Sequence, residues 1–580
     1  MRKFLCLFLV SVVLLSACGS GSGNAAPPEA TGAAEATSAA ETTDAAGSSG
    51  TGGVQYSAPG VLPIVPKLGD VTLSMLVTQH PALIDWSTNS FIKWMEEQTN
   101  VKIEFQTVPL DGNEEKIGLL LAAGDLPDVL SVWIRDPQIQ QFGVGEGLLM
   151  PLNDLLDANC TYINEIWDRY PGERGVMTML DGNIYTMPNI NECYHCTLST
   201  KMWMNQEWLD KLGLKQPTTT DELYNVLVAF RDKDPNGNGK ADEIPLASCA
   251  MDGWQSDGFR WLFNAFTYFE ADVLYNNGTN LGFYPNGDTI TVPYYDKEAM
   301  KDALKYANKL FSEGLWYEGS FTLRGEELTQ LVENPDAPLI GSFPSGFIGI
   351  HSKQGGERYR MFRWLNPVKG PKGVQGVVHD HFLQGGGYFL SKNCRYPEIA
   401  VKWGDYLYSY DATVRAYLGV KDVGWRDAKP GEMGINGKPA LYVPLIPWQE
   451  FEPQNDQIVQ QMNSFRPSDF RLGEIYDEST DMFGELGIEK MLQVASEDYI
   501  KYAQTDKKMP PVKFTKEESD ELMIMRTELI NIIREYMTAF MRGDKSIDAD
   551  YDNFLNQLKA QGMDTMIEYY QKAYDNQFKK

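Results

Sequence analysis

Between residues 234 and 243 the chain reads Asp234-Pro235-Asn236-Gly237-Asn238-Gly239-Lys240-Ala241-Asp242-Glu243. Oxygen-bearing side chains recur here at alternate positions. A hard cation such as Ca²⁺ takes roughly six to eight oxygens from one wrapping loop; an EF-hand loop presents them at its first, third, fifth, seventh (a carbonyl), ninth and twelfth positions, with glycine at the sixth. Counted from Asp234, Asn236 is third, Asn238 fifth, Gly239 sixth, the Lys240 carbonyl seventh and Asp242 ninth. The twelfth residue is Pro245, so the loop is not a true EF-hand, and Glu243 is the natural bidentate substitute. The expectation is one structural calcium ion; the alternative is a polar, glycine-rich turn.

A second cluster, Cys193-Tyr194-His195-Cys196, invites zinc or redox chemistry. Zinc needs a second pair of ligands at suitable spacing, and none follows. Of the 7 cysteines, Cys6 falls in the leader and Cys18 at its end. Cys160, Cys193, Cys196, Cys249 and Cys394 remain, an odd number, so at least one thiol is not paired within the chain. A buried thiol pair is the expected state of Cys193 and Cys196, with a local disulfide as the alternative. His379 and His381 could share one strand face, but a third metal ligand is lacking, and a ligand contact or buried polar pair is the plainer reading. No Gly-x-Ser-x-Gly elbow, His-Glu-x-x-His helix or phosphate-binding glycine loop occurs. Among 79 acidic residues no pair is marked as a glycosidase couple. No catalytic residue is assigned.

Cys18 carries chemistry of another kind. Met1-Arg2-Lys3 is a positive start, Phe4 to Leu15 is an apolar run too short to span a bilayer, and Leu15-Ser16-Ala17-Cys18 ends it with small residues before a cysteine. The pattern resembles a bacterial lipobox, which places a diacylglyceryl group on the Cys18 thiol, cuts before it and acylates (for example palmitoylates) the new terminus. Residues 1–17 are then a signal peptide. Residues 18–60, almost devoid of large apolar side chains, form a disordered tether with a reach of roughly 35 Å.

The remainder is too long for a single core, so two or more lobes are expected. A formal net charge of −28 repels nucleic acid and anionic membrane, which excludes nucleic-acid partners. Val71 to Thr78, Val101 to Phe105 and Asp128 to Trp133 read as strands. Between them Asn89 to Gln98, capped by Thr88, and Glu114 to Ala123 read as helices. This order predicts a mostly parallel sheet, with ligands beyond the strand ends. Ile184 to Pro188, Leu198 to Met204 and Gly385 to Leu390 read as further strands. Thr219 to Asp232, Lys297 to Ser312 and Pro397 to Tyr410 read as helices, and from Glu474 onward the chain is nearly all helical.

The order of several segments carries a resemblance. Gly124-Asp125-Leu126-Pro127-Asp128-Val129, Asp181 to Pro188, Gln206 to Leu214 with Gln216 to Leu223, and the tail Phe540 to Asp575 are similar to the large extracellular solute-binding proteins of carbohydrate ABC importers, near the lipoprotein and alginate-binding branch. The resemblance runs from about Val71 to Phe578. It implies an α/β, two-lobed periplasmic-binding-protein-like fold, with discontinuous lobes joined by a hinge and a helical C-terminal region. Lobe 1 is expected at 61–190 and 386–442, and lobe 2 at 191–385 and 443–580. Chain crossings fall near Asn189 to Ser199, Gln384 to Tyr388 and Ala440 to Ile446. The same calcium loop is a feature of the alginate-binding relatives.

The implied function is capture of an oligosaccharide or similar polar solute in an interlobe cleft by a monomer. The anchor holds it on the extracellular face of the cell membrane, and the solute passes to ABC transporter permease subunits. A sensor lipoprotein serving a membrane kinase, or a secreted polysaccharide lyase or hydrolase, are the alternatives. Strand ends and crossovers nominate Asp85, Trp86, Trp133, Arg135, Asn189, Trp254 and Trp425 as cleft residues, since sugars stack on aromatic faces and bond to acids, amides and arginine.

Overall fold

A computed structural model of the chain describes residues 53–579 apart from 111, 275–277, 381–382, 385–386, 448–452 and 459; of 48–49 and 383–384 it describes the backbone alone. Cys18, His381 and most of the expected tether lie outside the described residues.

The first sheet has four strands in the order Phe389–Leu390, Val129–Ser131, Val71–Gln79, Val101–Pro109. The Val71–Gln79 strand is parallel to both neighbours, with Val71 opposite Val101 and Met75 opposite Val129. Only the returning Phe389–Leu390 strand is antiparallel. The cause is local. A helix at Ser90–Thr99 and another at Asn113–Ala123 carry the chain back across the sheet, which a parallel pairing requires. The first helix is capped by Asn89, whose Oδ1 accepts from Phe91 N at 2.9 Å, and not by Thr88 as the sequence suggested. Thr88 is occupied by Asp85 Oδ1, which accepts from its backbone N and its hydroxyl at 2.8 Å each.

A second sheet has Lys201–Asn205 between Ser342–Ser345 and Phe362–Leu365, all antiparallel. The pieces belong to different cores. Val71, Leu73, Met75, Phe91, Tyr388, Trp403 and Ile458 share one. Trp208, Phe230, Met300, Tyr499, Leu529, Phe540 and Tyr551 share another. The long helices Lys297–Ser312, Lys516–Arg542, Ile547–Ala560 and Met563–Phe578 wrap the second core.

Three strands lie side by side where the chain passes from one core to the other: Leu383–Gln384, Asn189–Asn191 and Phe465–Arg466. The strand expected at Ile184 to Pro188 is thus displaced to Asn189–Asn191. The last crossing also comes later than Ala440 to Ile446. Ile458 and Met462 still pack in the first core, and Gln454 is tied to the first lobe by Gln454 N to Ala82 O at 2.8 Å and Ile84 N to Gln454 O at 3.1 Å. A short, irregular segment with no helical or alternating period hid this from the sequence. The segment from Glu474 to Gly487 is likewise turns rather than helix, with the helix at Ile488–Tyr499.

Candidate ligand cavity

A cavity of about 920 Å³ opens where the crossing strands meet the two cores. That is at the upper end of the roughly 300–1,000 Å³ typical of small-molecule sites. Asn189 lines it from the central crossing strand. Trp133, just past the Val129–Ser131 strand, lines it from the first lobe, and Trp254 from the second. Both rings stand out from their neighbours: Trp133 is 44% and Trp254 36% exposed. Trp254 sits edge-on to the His195 ring at 6.0 Å between centroids and lies over Gly346, where a Cβ would fall 2.1 Å from Trp254 Cε3. Only glycine leaves room for that ring position.

The other four nominated residues line no part of the cavity. Trp86 is buried, stacks on Phe105 at 5.4 Å and donates its indole N–H to Thr78 O. Trp425 is buried with Val414, Leu418, Tyr442 and Phe470 and donates to Gly419 O at 3.2 Å. Both expectations are corrected: a tryptophan beside a strand end or glycine fills the core here. Asp85 serves the turn before the first helix. Arg135 is paired outside the cavity with Glu114 at 2.5 Å and lies 3.5 Å from Thr279 Oγ1.

The floor is a buried polar network. Arg471 donates to Glu489 at 2.6 Å, to Asn191 Oδ1 at 3.2 Å and stands 3.1 Å from His195 Nε2. Tyr194 donates to Glu489 Oε2 at 2.7 Å. Burial, reinforced by Arg471, pushes His195 well below the usual histidine range, so its ring is neutral and its Nε2 accepts from the guanidinium. Burial, with Glu489 alongside, holds the Glu474 carboxyl well above the usual carboxylate range. His351, between Ser256 Oγ at 2.8 Å and Thr329 Oγ1 at 3.2 Å, is lowered to about 4 by burial. Sequence reasoning missed His351, Arg471, Glu474 and Glu489, which no local motif marks. The amides Gln457, Gln460, Gln461 and Asn463 also line the cavity; their clustering in one short turn was a usable signal.

Cys193 and Cys196 are joined as a disulfide, which replaces the expected buried thiol pair. Their sulfurs lie with a His195 nitrogen within 4.8 Å of one another, but thiols committed to each other supply no thiolate for a metal. His379 is half-buried and lowered by burial.

Away from the cavity, the 234–243 loop curls on itself. Gly239 N donates to Asp234 Oδ2 at 3.1 Å, and Asn236 and Asn238 amides donate to Asp242. Gly237 and Gly239 take left-handed φ of 74° and 73°, which allows the tight wrap. Glu243 is half-buried, but both its carboxylate oxygens are shut away from solvent without a hydrogen-bond partner. Burial, with Asp234 and Asp242 nearby, raises its carboxyl above the usual range. Two orphaned carboxylate oxygens beside two further acids and two amides are the donor set a calcium ion requires, so the residues fit the ion.

The two cores, the crossing strands between them and a deep cavity at the crossing define a binding-protein architecture. Residues 82–414 match the family model described as bacterial extracellular solute-binding protein, and the chain belongs to that family. Among curated relatives, the fructooligosaccharide ABC transporter substrate-binding protein FusA of Streptococcus pneumoniae is 25% identical, over 87% of this chain and 90% of that protein. Among solved structures, an HMO binding, ABC-transporter associated solute-binding protein of Bifidobacterium longum infantis superposes with a TM-score of 0.73 at 24% identity, over 87% of this chain and 99% of that one. The alginate-binding protein AlgQ2 without calcium ion superposes with a TM-score of 0.64 at 22% identity, over 88% and 99%. The α/β two-lobed architecture implied by the sequence is the one these neighbours share.

Proposed function

We propose that this chain captures an oligosaccharide between its lobes, without turning it over, and delivers it to the permease subunits of an ABC importer. The observation that carries the reading is the pair of half-exposed indoles, Trp133 from one lobe and Trp254 from the other, on a cavity whose wall mixes apolar side chains with amides and other hydrogen-bonding groups. Flat amphipathic rings cover the apolar faces of a sugar, and amides answer its hydroxyls. Relatives named for fructooligosaccharide and HMO binding support the substrate class.

In this reading Cys18 carries the lipid anchor and the residues after it let the lobes reach the permease from the extracellular face of the membrane. Asp234, Asn236, Asn238, the Lys240 carbonyl, Asp242 and Glu243 would hold a calcium ion, which supplies a structural cross-link of the loop. The naming of an alginate-binding neighbour as lacking calcium supports that assignment.

The test is a thermal-shift panel on purified protein covering neutral oligosaccharides, uronides, polyols and peptides. A saccharide at about 100 times its Kd stabilises by about 2.7 kcal/mol, and the same saccharide is recovered unaltered after incubation. A response confined to peptides, or consumption of the saccharide at an enzymatic rate, would overturn the proposal.

A further inference from the structure

We propose that the cavity selects neutral saccharides and rejects those bearing carboxylates, a statement that rests on the oligosaccharide reading above. The charges on its wall are unevenly placed. Every described lining residue contributed by the first lobe is uncharged, and the acids and bases sit on the second lobe and at the last crossing. On that side stand six carboxyl groups, from Asp252, Glu326, Asp380, Glu474, Glu485 and Glu489, and two guanidinium groups, from Arg466 and Arg471.

Both guanidiniums are already engaged. Arg471 is spent on Glu489, Asn191 and His195. Arg466 reaches Gln460 Oε1 and lies over the Tyr417 ring at 4.7 Å. Two further cations serve a wall acid: Lys508 and Arg260 lie 3.0 and 3.5 Å from Asp380. The two histidines on the wall, His195 and His351, are buried and bonded to neutral or cationic partners. Both arginines are also buried, Arg466 2% and Arg471 5% exposed, and their remaining N–H groups are shut away from solvent, so an incoming carboxylate would have to open the wall to reach a cation.

It would also meet unneutralised acids. Asp252, Glu326 and Glu485 line the cavity and form no ion pair among the described residues. A carboxylate leaving water for this wall loses hydration and gains like-charge repulsion, with no compensating pair. A hydroxyl loses little, because carboxylates accept from it and the facing amides of Gln457, Gln460, Gln461 and Asn463 both donate and accept.

The experiment starts from a neutral oligosaccharide that stabilises the full chain in the thermal-shift panel. Calorimetry then compares that sugar, the same sugar with its primary hydroxyls oxidised to carboxylates, and the methyl ester of the oxidised form. The expected result is a loss of roughly tenfold or more on oxidation, restored by esterification. In Glu326→Gln/Glu485→Gln, two exposed positions where the change leaves the fold intact, the gap between the uronate and its ester narrows severalfold. A uronate that binds as tightly as its ester, or a gap that the double variant leaves unchanged, would overturn the selection by charge while the oligosaccharide reading stands. If uronate oligomers in the panel bind and no neutral sugar does, the selection is refuted in the same way. If no saccharide of either kind binds, the oligosaccharide reading falls, and this inference with it.

Discussion

At the scale of single residues, four tryptophans that look alike in the sequence part into two roles. Trp86 and Trp425 are core, so Trp86→Ala is expected to cost about 3–5 kcal/mol of stability, the range for emptying a buried aromatic site. Chemical denaturation reads this as a lowered midpoint, with Trp133→Ala as the control that barely moves it. The sequence could nominate all four, because an aromatic beside a strand end has two possible sides to point to. What separates them is the neighbour: Phe105 beside Trp86, and open cavity beside Trp133. Lys201 was invisible to sequence reasoning. It is fully buried, donates to His195 O at 3.1 Å, and burial lowers it to about 7. Its folded pKa lies below its unfolded value, so between the two the unfolded chain binds the extra proton. Stability from this group is lowest below pH 7 and rises as pH climbs toward 10.5. From pH 7 to 9 the gain is about 2 kcal/mol. Equilibrium unfolding of wild type against Lys201→Met checks this, since the rise should vanish in the variant.

At the scale of elements, the parallel sheet of the first lobe was legible because its strands keep apolar residues in runs or in alternation and the crossover helices between them keep apolar residues at helical spacing. The crossing strands were not. The Leu383–Gln384 and Phe465–Arg466 strands are two residues long, too short for any period to register. The 234–243 loop is the opposite case, since its candidate donors are written in alternate residues and the fold adds only the burial of the two Glu243 carboxylate oxygens. Chelation with EGTA is expected to lower the melting temperature of wild type, with calcium restoring it. At ten times Kd the ion contributes about 1.4 kcal/mol. Asp234→Ala/Asp242→Ala should melt at one temperature with or without calcium. A glycine sets the second platform: Gly346→Ala would drive a methyl group into the Trp254 ring. Saccharide affinity is expected to fall severalfold by calorimetry, with a small change in melting temperature.

At the scale of the molecule, two cores share a cavity at the strands that join them, and each lobe brings one exposed indole to it. Two-lobed proteins of this kind close about a hinge on their ligands, so scattering should show a smaller radius of gyration when the saccharide is added. The sequence conveyed the two-lobed plan through the order of its segments. It could not convey which side chains face across the gap, because those facing residues are far apart in the chain and meet only after folding. The central claim is that one saccharide is gripped by both lobes at once, and the binding isotherm of that saccharide with Trp133→Ala, Trp254→Ala and the double variant tests it most directly. Each single change is predicted to weaken binding by about 1–2 kcal/mol, roughly five- to thirtyfold in Kd, with wild-type melting temperatures retained. A double variant that binds as tightly as wild type would contradict the account.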